Sequence, residues 1–116
     1  MRHHKAHRKL SKKAGPRRAL LRGLAGNLIV RGKITTTEAK ARELRPFIEK
    51  LTTRARAGTL ASRRLVLSRL GNTAYTKQLC DIIAPRYAKR AGGYTRIIKL
   101  GRRVSDGSPK AMIEFV

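Results

Sequence analysis

Acidic residues are scarce in this sequence, and their absence is most complete near the amino terminus. The chain contains 6 Asp and Glu against 29 Lys and Arg, which gives a formal charge of +23 and an isoelectric point near 11.8. The first carboxylate is Glu38, after eleven Lys and Arg residues. A segment of such uniform charge repels itself and does not fold alone, so it needs a polyanionic partner. Nucleic acid is the leading candidate for that partner.

Cysteine, aromatic residues and long apolar runs are also scarce, and each absence excludes a class of protein. The single cysteine, Cys80, excludes an intramolecular disulfide framework and fits a reducing compartment. No apolar run approaches the roughly 18 residues that a membrane helix needs, and no apolar signal-peptide stretch follows the basic amino terminus. With only five aromatic residues, the chain lacks the pattern of a single-strand RNA platform. We therefore expect a cytoplasmic protein with no membrane partner.

The sequence contains no constellation of residues that predicts catalysis, a metal site or a bound cofactor. Four of the six acids are spaced from basic residues as in ordinary helix pairs, for example Glu38 four residues before Arg42, and Asp106 and Glu114 lie in a predicted turn and strand. His3 and His7 are four residues apart, but a zinc site needs further ligands, and Cys80 is distant in the sequence. No phosphate-binding loop or dinucleotide fingerprint occurs. We predict a protein that is not an enzyme and that takes no cofactor, metal ion or small-molecule substrate.

Residues 1–15 are predicted to form an extended basic tail, and residues 16–116 a single globular domain. The tail is nearly devoid of apolar residues, and Gly15-Pro16 marks its boundary because proline suits the first turn of a helix. Arginine outnumbers lysine, 18 to 11, and guanidinium groups bind phosphate bidentately and stack on unpaired bases, which favours structured RNA. The residues of the tail and first helix that we expect to contact RNA are Arg2, His3, Lys5, Arg8, Lys9, Lys12, Lys13, Arg17, Arg18 and Arg22.

The spacing of apolar residues predicts an α+β fold, in which several helices pack on a small, mostly antiparallel sheet. The first predicted helix ends at Gly32, and the second begins after a Thr35 or Thr37 cap and ends near Gly58. The third covers residues 61–70, and the fourth is capped by Thr73 and buries Leu79, Ile82 and Ile83. Beyond residue 93 the period changes to two, which predicts a hairpin with strands over 94–100 and 111–116. A strand near Ile34 completes the sheet.

The glycine pair Gly92-Gly93 lies among basic residues between the helices and the hairpin. Such a pair is normally a turn, but small residues there also let a phosphate backbone approach closely. The sequence leaves both explanations open. Arg90, Gly92, Gly93, Tyr94 and Arg96 are predicted to form a second RNA contact.

Several of these motifs occur in one order along nearly the whole chain. The most specific are Met1-Arg2-His3 and the block from Arg90 to Ile97, and Ala111-Met112-Ile113-Glu114 follows them near the end. Together they resemble the bacterial large-subunit ribosomal protein seventeen family. The resemblance implies an α+β domain with a basic amino-terminal extension that binds large-subunit (23S) ribosomal RNA. It also implies neighbouring large-subunit ribosomal proteins as partners.

We therefore expect a structural constituent of the large ribosomal subunit that supports translation. Two alternatives belong to other classes. A nucleoid-type DNA-binding protein would share the charge but would bind duplex DNA at least as well as folded RNA. A cationic membrane-active protein would need a helix with one wide apolar face, and Gly23 and Gly26 interrupt the first helix.

Removal of residues 1–14 is expected to weaken binding to large-subunit RNA strongly and to leave the remaining domain folded. The reason is that a basic tail pairs with phosphates and releases their condensed counterions. RNA affinity over a series of salt concentrations measures the first effect, and circular dichroism measures the second. Equal affinity of the truncated and intact chains would contradict the prediction.

Overall fold

The computed structural model describes residues 14–116, with side chains from residue 15 onward. In this range the α-helices are α1 (Ala14–Arg31), α2 (Glu38–Arg56), α3 (Leu60–Leu70) and α4 (Thr73–Gln78), and the strands are β1 (Lys33–Thr37), β2 (Thr95–Arg102) and β3 (Pro109–Phe115). A π-helical turn (Leu79–Ile83) and a 3-10 turn (Ala84–Tyr87) follow α4 directly. The predicted α+β class is confirmed, and the predicted tail lies almost wholly outside the described residues.

The three strands form one antiparallel sheet in the order β1-β3-β2. Ile113 of the central strand β3 pairs with Ile34 on one side and Ile97 on the other. Ile113 and Ala111 are fully buried, and because alternate residues of a strand point to opposite faces, they define the inner face of the sheet. Helix α2 packs on this face. The predicted hairpin and the third strand near Ile34 are therefore confirmed.

Helix α2 is the central element of the core. All five of the apolar residues predicted to point inward are buried, namely Ala41, Leu44, Ile48, Leu51 and Ala55. Burial of each large aliphatic side chain contributes about 1.5–3 kcal/mol relative to exposure. Of the two predicted caps, Thr37 is the one that forms, since its hydroxyl oxygen accepts a hydrogen bond from Lys40 N at 3.3 Å.

Two predictions about α4 and its continuation were wrong. The cap of α4 is Asn72 rather than Thr73, because the Asn72 side-chain oxygen accepts a hydrogen bond from Tyr75 N at 2.9 Å. Ile82, predicted to be buried, is 48% exposed, whereas Leu79 and Ile83 are buried. The π-helical turn explains the difference. Its wider winding rotates Ile82 away from the face that an α-helix would have given it.

Helix α1 begins at Ala14, so the last two residues of the predicted tail belong to it. It ends at Arg31 as predicted, with Gly32 at φ +81° and Gly32 N donating to Leu28 O at 2.7 Å. Gly26 is required by packing, because a Cβ there would lie 2.2 Å from Cε2 of the Tyr75 ring. At Gly26, helix α1 is thus in close contact with an aromatic side chain of α4.

Arg103 and Asp106 close the turn between β2 and β3. Arg103 Nε and Nη2 donate to the two carboxylate oxygens of Asp106 at 3.0 and 2.6 Å, and Ser108 N donates to Oδ1 at 3.0 Å. Hydrogen bonds to the charged form favour it, so Arg103 first, and Ser108 second, hold the pKa of Asp106 well below its usual value.

The substitution Arg103→Ala is expected to raise the pKa of Asp106 toward its usual value of about 3.9. Folding lowers the pKa of Asp106, so these interactions stabilise the turn at pH values above the pKa that Asp106 has in the unfolded chain. This stabilisation is lost as the pH falls through the pKa that Asp106 has in the folded chain. Carboxyl chemical shifts in an NMR titration measure the change. Arg102→Ala is the control, since Arg102 donates to the Gly107 carbonyl instead. Equal shifts in both variants would contradict the assignment.

Candidate nucleic-acid interface

The segment before β2, which contains the glycine pair, is held to α2 by one carboxylate. Gly93 N donates to Glu49 Oε1 at 3.1 Å, and Thr95 N and Oγ1 both donate to Glu49 Oε2, at 3.0 and 2.8 Å. Gly93 has φ +66°, a left-handed conformation that glycine adopts without strain. Gly93 thus forms a turn whose N–H is bonded within the protein, and the phosphate contact at this glycine stays a prediction.

Tyr94, predicted to contact RNA, is fully buried. Its hydroxyl group shares a hydrogen bond with Thr53 Oγ1 at 3.0 Å and donates to Arg90 O at 3.3 Å. Its ring centroid lies 5.1 Å from that of Tyr87. A buried ring offers no face to a base, so Tyr94 supports the loop from inside. Sequence alone did not show which way this side chain points.

The two arginines of this segment differ in their surroundings. Arg90 is exposed at the end of the loop. Arg96 is also exposed, but its Nε lies 2.5 Å from Glu114 Oε1 across the β2–β3 pair. Arg90 therefore has its charge available to a partner, whereas the charge of Arg96 is partly balanced by a neighbouring strand.

The predicted arginines of α1 also divide into two kinds. Arg18 is exposed and Arg17 is half-buried on the first turns of the helix. Arg22 donates to the carbonyls of Arg69 at 2.8 Å and Ser68 at 3.3 Å, so it satisfies the carboxyl-terminal end of α3. Arg22 thus joins α1 to α3. The predicted tail contacts, Arg2, His3, Lys5, Arg8, Lys9, Lys12 and Lys13, lie outside the described residues.

A groove of about 560 Å³ lies beside Gly92, between α2 and α3, and its basic residues were not among the predicted contacts. Lys50 and Arg54 of α2 and Arg69 of α3 line it. Lys50 and Arg54 are one helical turn apart, so helical spacing alone could have paired them. Their approach to Arg69 depends on how two helices pack. Arg69 also links the groove to Arg22, which bonds its carbonyl.

The few carboxylates are occupied by contacts within the protein. Five of the acids form ion pairs with six cations, which are Arg42, Arg45, Arg63, Arg96, Lys99 and Arg103. The sixth acid, Glu43, is buried and also has an interaction partner. Among residues 15–116, most Lys and Arg side chains have no carboxylate of this range within 4.0 Å. Most of these unpaired cations are exposed to solvent. The surface therefore has a strongly positive potential.

The features of other site classes are also absent from the part of the chain that the structure describes. It contains no group of three His, Cys, Asp or Glu residues placed to hold a metal ion. None of its helices is long and apolar enough to cross a bilayer. Cys80 is half-buried against the core, and burial raises the pKa of its thiol, so it remains protonated at neutral pH.

Comparison with known proteins identifies the family. The model of the family described as ribosomal protein L17 matches residues 20–116. This chain belongs to the ribosomal protein L17 family. Similar curated proteins, all named large ribosomal subunit protein bL17, match the whole chain. The one from Sphingopyxis alaskensis is 53% identical, with 84% of its length covered. Those from Gemmatimonas aurantiaca and Thermomicrobium roseum are 51% and 47% identical, with 98% and 99% covered.

Family membership decides two of the expectations drawn from the sequence. The L17 family is a family of structural ribosomal proteins, so the expectation that the chain is not an enzyme is confirmed. The resemblance based on the Arg90–Ile97 block and the other motifs is confirmed as well.

Replacement of Glu49 by Ala is expected to lower the free energy of unfolding by about 1–3 kcal/mol. Three donors from Gly93 and Thr95 would lose a charged acceptor that is only 21% exposed. Arg45→Ala is the matched control, because Arg45 lies 3.7 Å from the same carboxylate at an exposed site, and its loss should cost less than about 1 kcal/mol. Urea denaturation measures both. Equal losses of stability in the two variants would show that the Arg45–Glu49 ion pair, and not the hydrogen bonds to Gly93 and Thr95, accounts for the contribution of Glu49.

Proposed function

We propose that this chain is a structural constituent of the large ribosomal subunit, where it binds large-subunit (23S) ribosomal RNA and supports translation in the cytoplasm. The observation that carries the proposal is its membership of the L17 family over residues 20–116. Relatives named as large-subunit proteins match it from end to end.

The distribution of charge supports an RNA partner. Each phosphate that a Lys or Arg neutralises releases condensed counterions, and this release drives binding. Because the acids are occupied within the protein, most of the exposed cations are available for such contacts. They occur on every helix and on the loop before β2 rather than along one groove. That arrangement suits a small domain with RNA on several sides.

The proposed RNA contacts are those of the predicted tail, together with exposed residues of the domain. Arg17, Arg18 and Arg90 have no carboxylate within 4.0 Å among residues 15–116. Gly92 and Gly93 allow close approach of a phosphate backbone, and Arg22 and Arg96 would contribute the donors that their internal contacts leave unused. Tyr94 supports this surface from the core.

Neighbouring ribosomal proteins are the other proposed partners. The edge strand β2 supports this part of the proposal, since its Ile98 and Leu100 are 37% and 45% exposed. Apolar side chains at an exposed position of an edge strand favour contact with another protein surface.

The first experiment is binding of the intact chain to large-subunit ribosomal RNA over a salt series, with excess duplex DNA as competitor. Binding that survives the competitor is expected. Each neutralised phosphate contributes about 0.7–0.9 to the slope of log affinity against log salt, so the slope counts contacts. Binding that duplex DNA abolishes would instead favour the nucleoid-type alternative.

A pair of arginine variants tests the role of unpaired charge. Arg90→Gln is expected to reduce the salt slope by about 0.7–0.9, the contribution of one phosphate contact. Arg63→Gln removes the same charge, but Arg63 is already bonded to Asp81 at 2.7 Å, so the expected change is smaller. Equal slopes for the two variants would contradict the proposal that unpaired arginines form the interface.

A further inference from the structure

The groove between α2 and α3 combines an apolar floor with a basic rim, a combination that the charge of the surface does not explain. Phe47 and Leu51 of α2 and Leu65 of α3 form its apolar part. Leu51 is buried, whereas Leu65 and Phe47 are only half-buried, although Phe47 packs at the edge of the core. Part of the Phe47 ring is thus available to a ligand.

The basic rim follows from helical spacing. Lys50 and Arg54 lie three and seven residues after Phe47, so all three share one face of α2. Arg69 lies four residues after Leu65 and faces them from α3. The three basic residues are exposed. A ligand in this groove would therefore meet apolar surface below and positive charge around it.

The one acid that lines the groove offsets only part of the charge of its three basic residues, and its oxygens are engaged within the protein. Both carboxylate oxygens of Glu49 accept hydrogen bonds from Gly93 and Thr95, and Arg45 lies 3.7 Å from Oε2. The groove thus suits a ligand that carries a flat apolar part and negative charge. A nucleotide has both. The volume of about 560 Å³ also falls within the range of small-ligand sites.

Gly92 leaves the edge of the groove open to a close contact. The structure does not require glycine there, since a Cβ at this position would meet no atom within 4 Å. Unlike Gly93, it does not adopt a positive φ. The absence of a side chain here leaves room for a ligand to approach the backbone at the edge of the groove.

We propose that this groove holds one unpaired nucleotide of the large-subunit RNA, with its base on the ring of Phe47 and its phosphates beside Lys50, Arg54 and Arg69. The inference rests on the proposed function and adds a specific site to it. Stacking of an unpaired base on an aromatic side chain is a common way in which proteins recognise RNA loops and bulges. In this groove, stacking adds an apolar contact to the phosphate contacts that the basic residues supply.

The test compares Phe47→Leu with Phe47→Tyr in the intact chain. Leucine keeps the apolar volume and removes the ring, so affinity for large-subunit RNA is expected to fall by about 5- to 30-fold, within the effect of losing one stacked base. The salt slope should not change, since no phosphate contact is lost. Tyrosine keeps the ring and should keep the affinity. Phe115→Leu, a half-buried aromatic outside the groove, is the control for the fold and should bind as the unchanged chain does.

Chemical probing of the RNA bases gives the decisive measurement. The unchanged chain is expected to protect an unpaired base that Phe47→Leu leaves reactive, with the rest of the protected pattern preserved. Gly92→Leu, whose Cβ would meet no atom within 4 Å, should expose the same base by filling the edge of the groove. Thermal unfolding checks that each variant is folded.

Other outcomes would overturn the proposal in distinguishable ways. If Phe47→Leu and Gly92→Leu bind and protect RNA as the unchanged chain does, the groove inference fails and the proposed function stands. If these variants instead lose affinity for a glutamate-rich peptide while the RNA pattern is preserved, the groove binds an acidic protein segment. If the unchanged chain shows no specific binding to large-subunit RNA, the proposed function and the groove inference fail together.

Discussion

A chain with a formal charge of +23 must fold against its own repulsion, and its few carboxylates lie where they offset part of that repulsion. Glu49 joins α2 to the segment before β2. Glu38 lies between Arg42 of its own helix and Lys99 of β2, and Asp81 joins the π-helical turn to α3. Each exposed pair contributes little energy alone. Their common effect is to place negative charge where elements meet, so that the remaining positive charge faces outward.

The apolar core supplies the stabilisation that these exposed ion pairs do not. Helix α2 packs against the sheet and against α1 and α3. Side chains such as Leu44 and Ile48 therefore stabilise several contacts at once, and both are fully buried. The same helix carries Phe47 and Lys50 on another face, which lines the groove. The element that holds the domain together is thus also the element that presents part of the proposed RNA surface. A variant at exposed Lys50 therefore alters the groove without removing a buried side chain, whereas Phe47 also packs on the core.

The parts of the fold that depend on local chemistry could be predicted from the sequence. The Thr37 cap, the end of α1 at Gly32 and the inward face of α2 depend on residues within one or two turns of each other. Ile82 was misplaced because the change to π-helical winding leaves no simple sequence pattern. At the candidate site, the exposure of Arg18 and Arg90 could be predicted because both side chains are charged. The burial of Tyr94, the role of Arg22 and the approach of Arg69 to Lys50 depend on contacts between residues far apart in the sequence.

The contact between Gly26 and Tyr75 has a mechanical consequence. The ring occupies the volume that any side chain at residue 26 would need, and both residues lie at the junction of α1 with α4. Such a fit permits little rotation of α1 about its axis and little sliding along it, since either motion would drive the helix backbone into the ring. Arg17 and Arg18 lie on the same rigid helix, about two to three turns earlier. Tyr75 therefore restrains the position of the helix that carries those two arginines, and its loss would remove this restraint without altering their charge.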